Sequence, residues 1–212
     1  MKRVNILLGR FQPFTQGHYI CVETAKKLKK LPTVICMINT PESKVDKRHP
    51  FSSDLLLDVY SDLFTQDPNI MDVVLVKNAN IVAISAELSS RGYQIASWTC
   101  GTDRYNSYST MAEKYREKSD LSDDFEVIEV KRTDEDISAT KARNCLLNDD
   151  IEGFISLMPS KMTISRDTFE ILKKQVDSVY MGNEKYNKQN SYHDLVLEYR
   201  VRKLEKLLNR LF

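Results

Sequence analysis

The sequence predicts an α/β protein with a doubly wound parallel sheet and a C-terminal helical extension. Short apolar runs alternate with helical patterns along roughly the first 160 residues, which is the order of elements in α/β folds. The apolar runs are continuous and do not alternate with polar residues, as expected for strands that helices cover on both faces. After about Pro159 the strand-like runs stop, and this change marks the start of the extension.

The first elements are a strand, a loop, a helix and a second strand. An apolar run over 4–8 ends at Gly9, and a polar loop separates it from a helical pattern that begins at Gly17 and stops at Pro32. A second apolar run follows over 33–38. This order of elements begins a parallel sheet.

The alternation continues up to the extension. Ser52 and Ser138 are suitable N-caps for two further helices. Right-handed crossovers between the strands would give a Rossmann-like layer. The predicted elements are a helix over 52–64, a strand over 72–76, a helix over 81–90, strands over 94–99 and 125–130, and a helix over 138–147.

The extension over 161–212 is expected to be helical. One helix is predicted over 168–179, and a polar connector over 181–190. Five apolar residues near the C-terminus then follow one another at spacings of four, three, four and three. This spacing is a heptad seam, but it covers only about two heptads, which is short for a coiled coil. The last helix either packs on its own domain or joins copies of the chain in a homo-oligomer. The seam residues are Leu197, Val201, Leu204, Leu208 and Leu211.

Composition excludes several classes of protein. With 31 basic and 30 acidic residues, the chain lacks the large positive field of a protein that coats nucleic acid, and the mixed-sign tail disfavours a DNA-binding regulator. A hydrophobic fraction of 42% indicates a globular protein. The four cysteines lack metal-ligand spacing and are expected to be free thiols in a reducing compartment. With no signal peptide and no apolar run of roughly 18 residues, we expect a soluble, cytoplasmic protein that binds no membrane.

The loop after the first strand is the first candidate ligand site. Ligands bind at the carboxyl end of the strands in open α/β sheets, and a helix N-terminus there offers N–H groups to phosphate. Gly9 and Gly17 let the backbone approach a ligand closely, while Thr15 and His18 add side-chain donors. In the alternative interpretation the loop is a plain turn, and His18 only caps or packs.

Two later segments carry further candidate donors. Residues 47–52 read K-R-H-P-F-S and contain Arg48. Residues 137–143 read I-S-A-T-K-A-R, so Ser138 would cap a helix and place Thr140 and Arg143 in its first two turns. The alternatives are a solvated basic turn and an ordinary capped helix.

These three segments together resemble the motifs of the nucleotidyltransferase superfamily. Residues 9–18 resemble its GRFQPF-(H/T)-x-G-H signature, most closely that of archaeal-type and Nudix-fused nicotinamide-mononucleotide adenylyltransferases. The other two segments are similar to its R-x-P-F-(S/T) and I-S-x-T-x-x-R elements. Thr15 stands where that branch usually has histidine, although pantetheine-phosphate adenylyltransferases use threonine there. The resemblance spans roughly 1–160, which we take as the nucleotidyltransferase domain.

The resemblance implies transfer of AMP from ATP to a small phosphorylated acceptor. The acceptor phosphate attacks the α-phosphorus and pyrophosphate leaves, so catalysis consists of positioning and charge stabilisation. Mg²⁺ is expected to bridge the triphosphate and not to sit in a protein cage. The implied roles are His18 at the α-phosphate with Thr15 beside it, Arg143 and Thr140 at the leaving phosphates, and Arg10 and Arg48 at the flanking phosphates.

The same resemblance extends to the end of the fourth strand. Residues 99–104 are similar to the G-x-D segment that lies beside the ribose in the family, which assigns Gly101 and Asp103 to the nucleotide. An aspartate after a strand can also simply form a turn.

The acceptor is the least defined part of the prediction. The motifs favour nicotinamide mononucleotide, which would give NAD, but the tryptophan that stacks on nicotinamide in archaeal-type enzymes is absent from 78–87. Trp98 lies in the fourth predicted strand and is expected in the core, so Phe11 or Phe14 would have to stack instead. Phosphopantetheine, another mononucleotide and a phosphosugar remain alternatives, as does a non-catalytic assembly protein with a nucleotide-binding fold.

Overall fold

The computed structural model describes residues 1–131, 138–180 and 192–208. Within these ranges the strands form a five-stranded sheet of order β3-β2-β1-β4-β5, and every neighbouring pair is parallel. The five predicted strands are therefore confirmed, as is the Rossmann-like α/β fold with C-terminal helices. The strands are β1 Lys2–Gly9, β2 Thr33–Ile38, β3 Ile70–Val76, β4 Tyr93–Gly101 and β5 Leu121–Val130.

The five helices that the sequence predicts before the last one are present, and the structure adds two. The added helices are α4, whose segment is polar with only Tyr108 and Ala112 buried, and the short α6. The predicted connector over 181–190 lies outside the described residues. The helices are α1 Gln16–Lys29, α2 Ser53–Gln66, α3 Ile81–Ser90, α4 Thr102–Lys114, α5 Ala139–Leu147, α6 Ile151–Leu157, α7 Arg166–Tyr180 and α8 Tyr192–Leu208.

Helices cover both faces of the sheet, which explains the continuous apolar runs. In β1, Leu7 packs in the cluster that contains α1, α2 and α7, whereas Ile6 and Leu8 pack in the cluster that contains α3. Trp98 belongs to the second cluster, is fully buried and stacks on Tyr108 at a centroid distance of 4.0 Å. The prediction that Trp98 is a core residue is confirmed.

The candidate site lies where the strand order reverses. β1 is the central strand, with β2 on one side and β4 on the other. Chain connections therefore leave the carboxyl ends of β1 and β4 in opposite directions, and this opens the crevice in which α/β proteins bind ligands. Leu7 lies opposite Thr99, so Gly9 and Gly101 end their strands at the same edge.

Helix α7 is part of the main core and not an appendage. Its residues Phe169, Leu172 and Val176 are fully buried in the cluster that also contains Phe14 and Leu55. A fully buried aromatic or aliphatic side chain contributes about 1.5–3 kcal/mol. The folded unit therefore includes α7.

Helix α8 packs on its own domain through a face that does not include the seam. Tyr199 is 9% exposed, and Arg200 Nε donates to Asp58 Oδ2 of α2 at 2.8 Å. The seam residues Leu197, Val201, Leu204 and Leu208 are instead 52%, 44%, 60% and 55% exposed, and Leu211 lies outside the described residues. No helix of the described chain is long and apolar enough to cross a membrane.

Candidate active site

The β1–α1 loop is packed tightly against the end of β1. A Cβ atom added to Gly9 would lie 2.7 Å from the Phe11 ring, so the close approach that this glycine permits is that of Phe11. Phe11 has a φ of 52° and is 3% exposed, and its ring contacts Phe14 and His18 at centroid distances of 5.2 and 5.1 Å. Phe14 is fully buried. The loop therefore forms an aromatic support under His18.

His18 is oriented by the residue that caps its own helix. The backbone N–H of Thr15 donates to His18 Nδ1 at 3.0 Å, and Thr15 Oγ1 lies 3.1 Å from the same nitrogen. Because Nδ1 accepts this bond, the proton of the neutral imidazole is on Nε2, which makes Nε2 the donor. Thr15 is 1% exposed, so in this structure its contact is with the imidazole. Gly17 is the second residue of α1, between the cap and His18.

Gln12 joins the three segments that the sequence singles out. Its Nε2 donates to the Phe51 carbonyl at 2.8 Å, and its Oε1 accepts from the Phe51 N–H at 2.9 Å. Its own carbonyl accepts from Arg143 Nη1 at 2.6 Å. Gln12 is 5% exposed, so these bonds satisfy a buried amide. The sequence analysis gave Gln12 no role, although an amide between Phe11 and Pro13 was a usable signal.

The third segment places the guanidinium of Arg143 near the N-terminus of α5. Ser138 caps the helix by accepting from the Lys141 N–H at 3.1 Å, so its predicted capping position is confirmed, while Ile137 lies outside the described residues. Arg143 Nη2 donates to Thr140 Oγ1 at 3.2 Å. Arg143 Nε is buried without a hydrogen-bond partner in the described chain. Both terminal nitrogens are thus held by bonds within the site, and each has a second N–H that suits a phosphate oxygen.

The second segment lies close to Arg10 and contains the cation Arg48. Arg10 Nη1 lies 3.4 Å from Thr40 Oγ1, just after β2. Partial burial lowers the pKa of His49, and the charge of Arg10 lowers that pKa further. Arg48 is exposed, and its backbone N–H donates to Asp46 Oδ1 at 2.8 Å. The sequence analysis did not identify His49.

Gly101 and Asp103 lie at the neighbouring strand end. Gly101 ends β4 and is the N-cap residue of α4, and Asp103 follows in the first turn of that helix. Asp103 is exposed and forms an ion pair with Arg104 Nε at 3.4 Å. The structure thus joins Thr15, His18, Thr140 and Arg143 to one loop, and places Asp103 across the crevice at the end of β4.

Comparison with protein families shows the family to which the chain belongs. A family model described as Cytidylyltransferase-like matches residues 6–145, more than half of the chain. The chain belongs to this family. This nucleotidyltransferase contains all three segments within or at the border of the matched region, which confirms the resemblance seen in the sequence. No curated protein matches the chain by sequence.

Solved structures share the fold of this nucleotidyltransferase. Two are of the nicotinic acid mononucleotide adenylyltransferase of Plasmodium falciparum, complexed with APC and with NaAD. Each is 12% identical over 86% of this chain and 100% of the other, with TM-scores of 0.53 and 0.54. A third is a bifunctional NMN adenylyltransferase/ADP ribose pyrophosphatase from Francisella tularensis, 21% identical over 99% of this chain and 57% of the other, with a TM-score of 0.52. At these identities the likeness establishes the fold.

Proposed function

We propose that this nucleotidyltransferase transfers AMP from ATP to nicotinamide mononucleotide, forming NAD and pyrophosphate. The observation that carries the proposal is the junction at Gln12, which brings the His18 loop, the Arg48 loop and Arg143 to one edge of the sheet. Such an edge, with a helix N-terminus and several cations, is suited to a triphosphate. The similar structures named above come from adenylyltransferases that act on nicotinate or nicotinamide mononucleotides, which favours this acceptor class.

The chemistry needs no nucleophile from the protein. An oxygen of the acceptor phosphate forms the new bond to the α-phosphorus of ATP, and the bond from that phosphorus to the β-phosphate oxygen breaks. His18 would donate from Nε2 to an α-phosphate oxygen, and Arg143 would donate to the leaving phosphates. These donors stabilise charge that develops during the transfer, and their fixed positions avoid reorganisation.

The donor set fits a metal ion that arrives with the nucleotide. The described residues contain no group of His, Cys, Asp or Glu side chains that could hold a metal, and the candidate site is mostly cationic. Mg²⁺ binds readily through substrate phosphates, where it would neutralise part of their charge. In this proposal the protein residues bind the remaining phosphate oxygens.

In this conformation Phe11 and Phe14 cannot stack on the base of the acceptor, so other groups must recognise it. Phe11 and Phe14 are 3% and 0% exposed, so neither ring offers a face for stacking in this structure. This finding weakens the expectation that one of them replaces the missing tryptophan. Nicotinate mononucleotide, phosphopantetheine and phosphosugars are therefore included as competing acceptors in the test.

A pyrophosphate-release assay with Mg-ATP and each acceptor in turn tests the function. We expect release with nicotinamide mononucleotide, together with NAD detected by mass spectrometry, and no release when ATP is incubated alone. Release with a different acceptor only would reject the acceptor and keep the enzyme class. Silence with every acceptor would favour the non-catalytic assembly protein.

We further propose that α8 pairs two copies of the chain in parallel. In the heptad pattern Leu197 and Leu204 occupy d positions, and Val201 and Leu208 occupy a positions; valine at a with leucine at d favours two strands. In a parallel pair the e-position glutamates of the two copies do not face each other, and Arg200 at g keeps its ion pair with Asp58 of its own domain. An antiparallel pair would place glutamates of the e positions opposite each other. The face with Tyr199 lies at f, away from the seam, so packing on the domain leaves the seam accessible.

Light scattering after size exclusion tests the pairing. We expect Leu204→Asp to lower the mass from dimer to monomer, because it places a charge in the apolar seam. Leu28→Asp is a matched control, since Leu28 in α1 is also 60% exposed but lies outside α8. Val201→Cys should form a disulfide-linked dimer only if the helices are parallel and in register. A wild-type chain that stays monomeric at high concentration would exclude the pairing.

A further inference from the structure

Helix α7 holds the loop that carries Arg48 at two points. Gln175 Nε2 donates to the Pro50 carbonyl at 3.0 Å, and Tyr180 Oη donates to the Lys47 carbonyl at 2.7 Å. Arg48 lies between these two carbonyls in the sequence. We call residues 46–50 the basic loop. Its backbone is therefore attached on both sides of Arg48 to a helix that begins after the family match ends.

The internal bonds of the basic loop close a turn but do not attach it to the protein. The backbone N–H groups of Asp46 and His49 each donate to the carbonyl of the other residue at 3.1 Å. Asp46 Oδ1 also accepts from the N–H groups of Arg48 and His49, at 2.8 and 2.6 Å. The attachment of this turn comes from α7 and, at the next residue, from the bonds between Gln12 and Phe51.

The attachment point on α7 is itself rigid. Gln175 is 4% exposed and lies beside Val176, which is fully buried in the main core. A buried glutamine needs a hydrogen-bond partner, and here that partner is the carbonyl of Pro50, a residue that is also buried. Movement of the loop would therefore leave two buried polar groups unpaired, which is unfavourable.

We propose that Gln175 and Tyr180 are positioning residues for Arg48. They hold the basic loop in the conformation from which Arg48 reaches a substrate phosphate, so the loop is ordered during folding and not during binding. Ordering backbone on binding would weaken affinity, whereas a loop that is ordered beforehand avoids this loss. The role of Arg48 in this proposal rests on the proposed function, but the attachment of the loop does not.

The test combines kinetics with amide hydrogen exchange on the full chain. Gln175→Met and Tyr180→Phe each remove one bond to the basic loop, and Ser178→Ala, which removes a bond within α7, is the control. We expect the double variant to lower kcat/KM about tenfold through KM, with kcat within about twofold. Exchange should become faster at 46–50 and stay unchanged in α1 and α5.

A double-mutant cycle separates positioning from general destabilisation. If Gln175 and Tyr180 act through Arg48, their substitution should cause no further loss in an Arg48→Ala background. Full additivity there, or unchanged exchange at 46–50, would overturn the proposal. If Gln175→Met does not fold, Tyr180→Phe at the end of the helix gives the same measurements. A wild-type chain without transferase activity would reject the proposed function, and the exchange result would then decide the attachment alone.

Discussion

Replacement of His18 by alanine is expected to lower turnover by about 10²–10³, the usual effect of removing one donor to charge that develops in a transition state. The Thr15 N–H bond to Nδ1 assigns the proton to Nε2, so the substitution removes a donor that is already oriented. The effect should appear in kcat more than in the affinity for ATP, because the interaction strengthens during the transfer. Single-turnover rates and ATP titrations measure the two quantities separately.

A second variant separates the donor from the packing of the ring. The imidazole contacts the rings of Phe11 and Phe14, so alanine also removes packing. His18→Phe keeps an aromatic ring there but has no donor, and we expect it to be as slow as His18→Ala. Recovery of activity in the phenylalanine variant, or near-wild-type turnover in the alanine variant, would remove His18 from the mechanism.

Replacement of Arg143 by methionine is expected to reduce kcat/KM by about 10²–10³, with a smaller loss, about tenfold, for Arg143→Lys. Methionine removes the bond to the Gln12 carbonyl and, in the proposed mechanism, the donors to the leaving phosphates. Lysine restores the charge but not the planar fork, which makes two hydrogen bonds in a fixed geometry. Steady-state kinetics with the acceptor found in the release assay measure both losses.

Lys141→Met is the matched control for this comparison. Lys141 is an exposed cation in the same helix, and its described bond uses only the backbone N–H. We expect a change of less than about threefold, the scale of a screened surface charge. A loss equal to that of Arg143→Met would mean that the helix supplies only general positive charge, and the specific role of Arg143 would be wrong.

The sequence was sufficient to predict the sheet because the apolar runs are continuous and short. It did not predict α4, since most of that segment is polar and its core-facing stripe consists of Tyr105, Tyr108, Met111 and Ala112, a weaker apolar pattern than that of the other helices. The exposed seam of α8 shows the opposite case. Its heptad spacing was visible in the sequence, but the burial of Tyr199 on the domain depends on contacts with α2 that the spacing does not show.

The candidate site was predictable as a set of segments but not as a connected structure. Motif positions place His18 and Arg143 at the carboxyl edge of the sheet, because strand ends and helix starts can be found from local patterns. The bonds that hold the segments together join residues that are far apart in the sequence. Gln12 and Phe51 are 39 residues apart, and Gln175 and Pro50 are 125 apart. Local patterns carry no signal for such pairs, so Gln12 and Gln175 were found only in the structure.

Because α7 is buried in the main core, sequence changes in this helix can affect the rest of the protein. The residues that define its family end near 145, yet Phe169 and Leu172 complete the same core that supports the β1–α1 loop. The cooperative folding unit is thus larger than the inherited signature. If α7 positions the basic loop as proposed, substitutions in α7 would alter substrate affinity while every signature residue stays intact, and two relatives with identical motifs would then differ in activity.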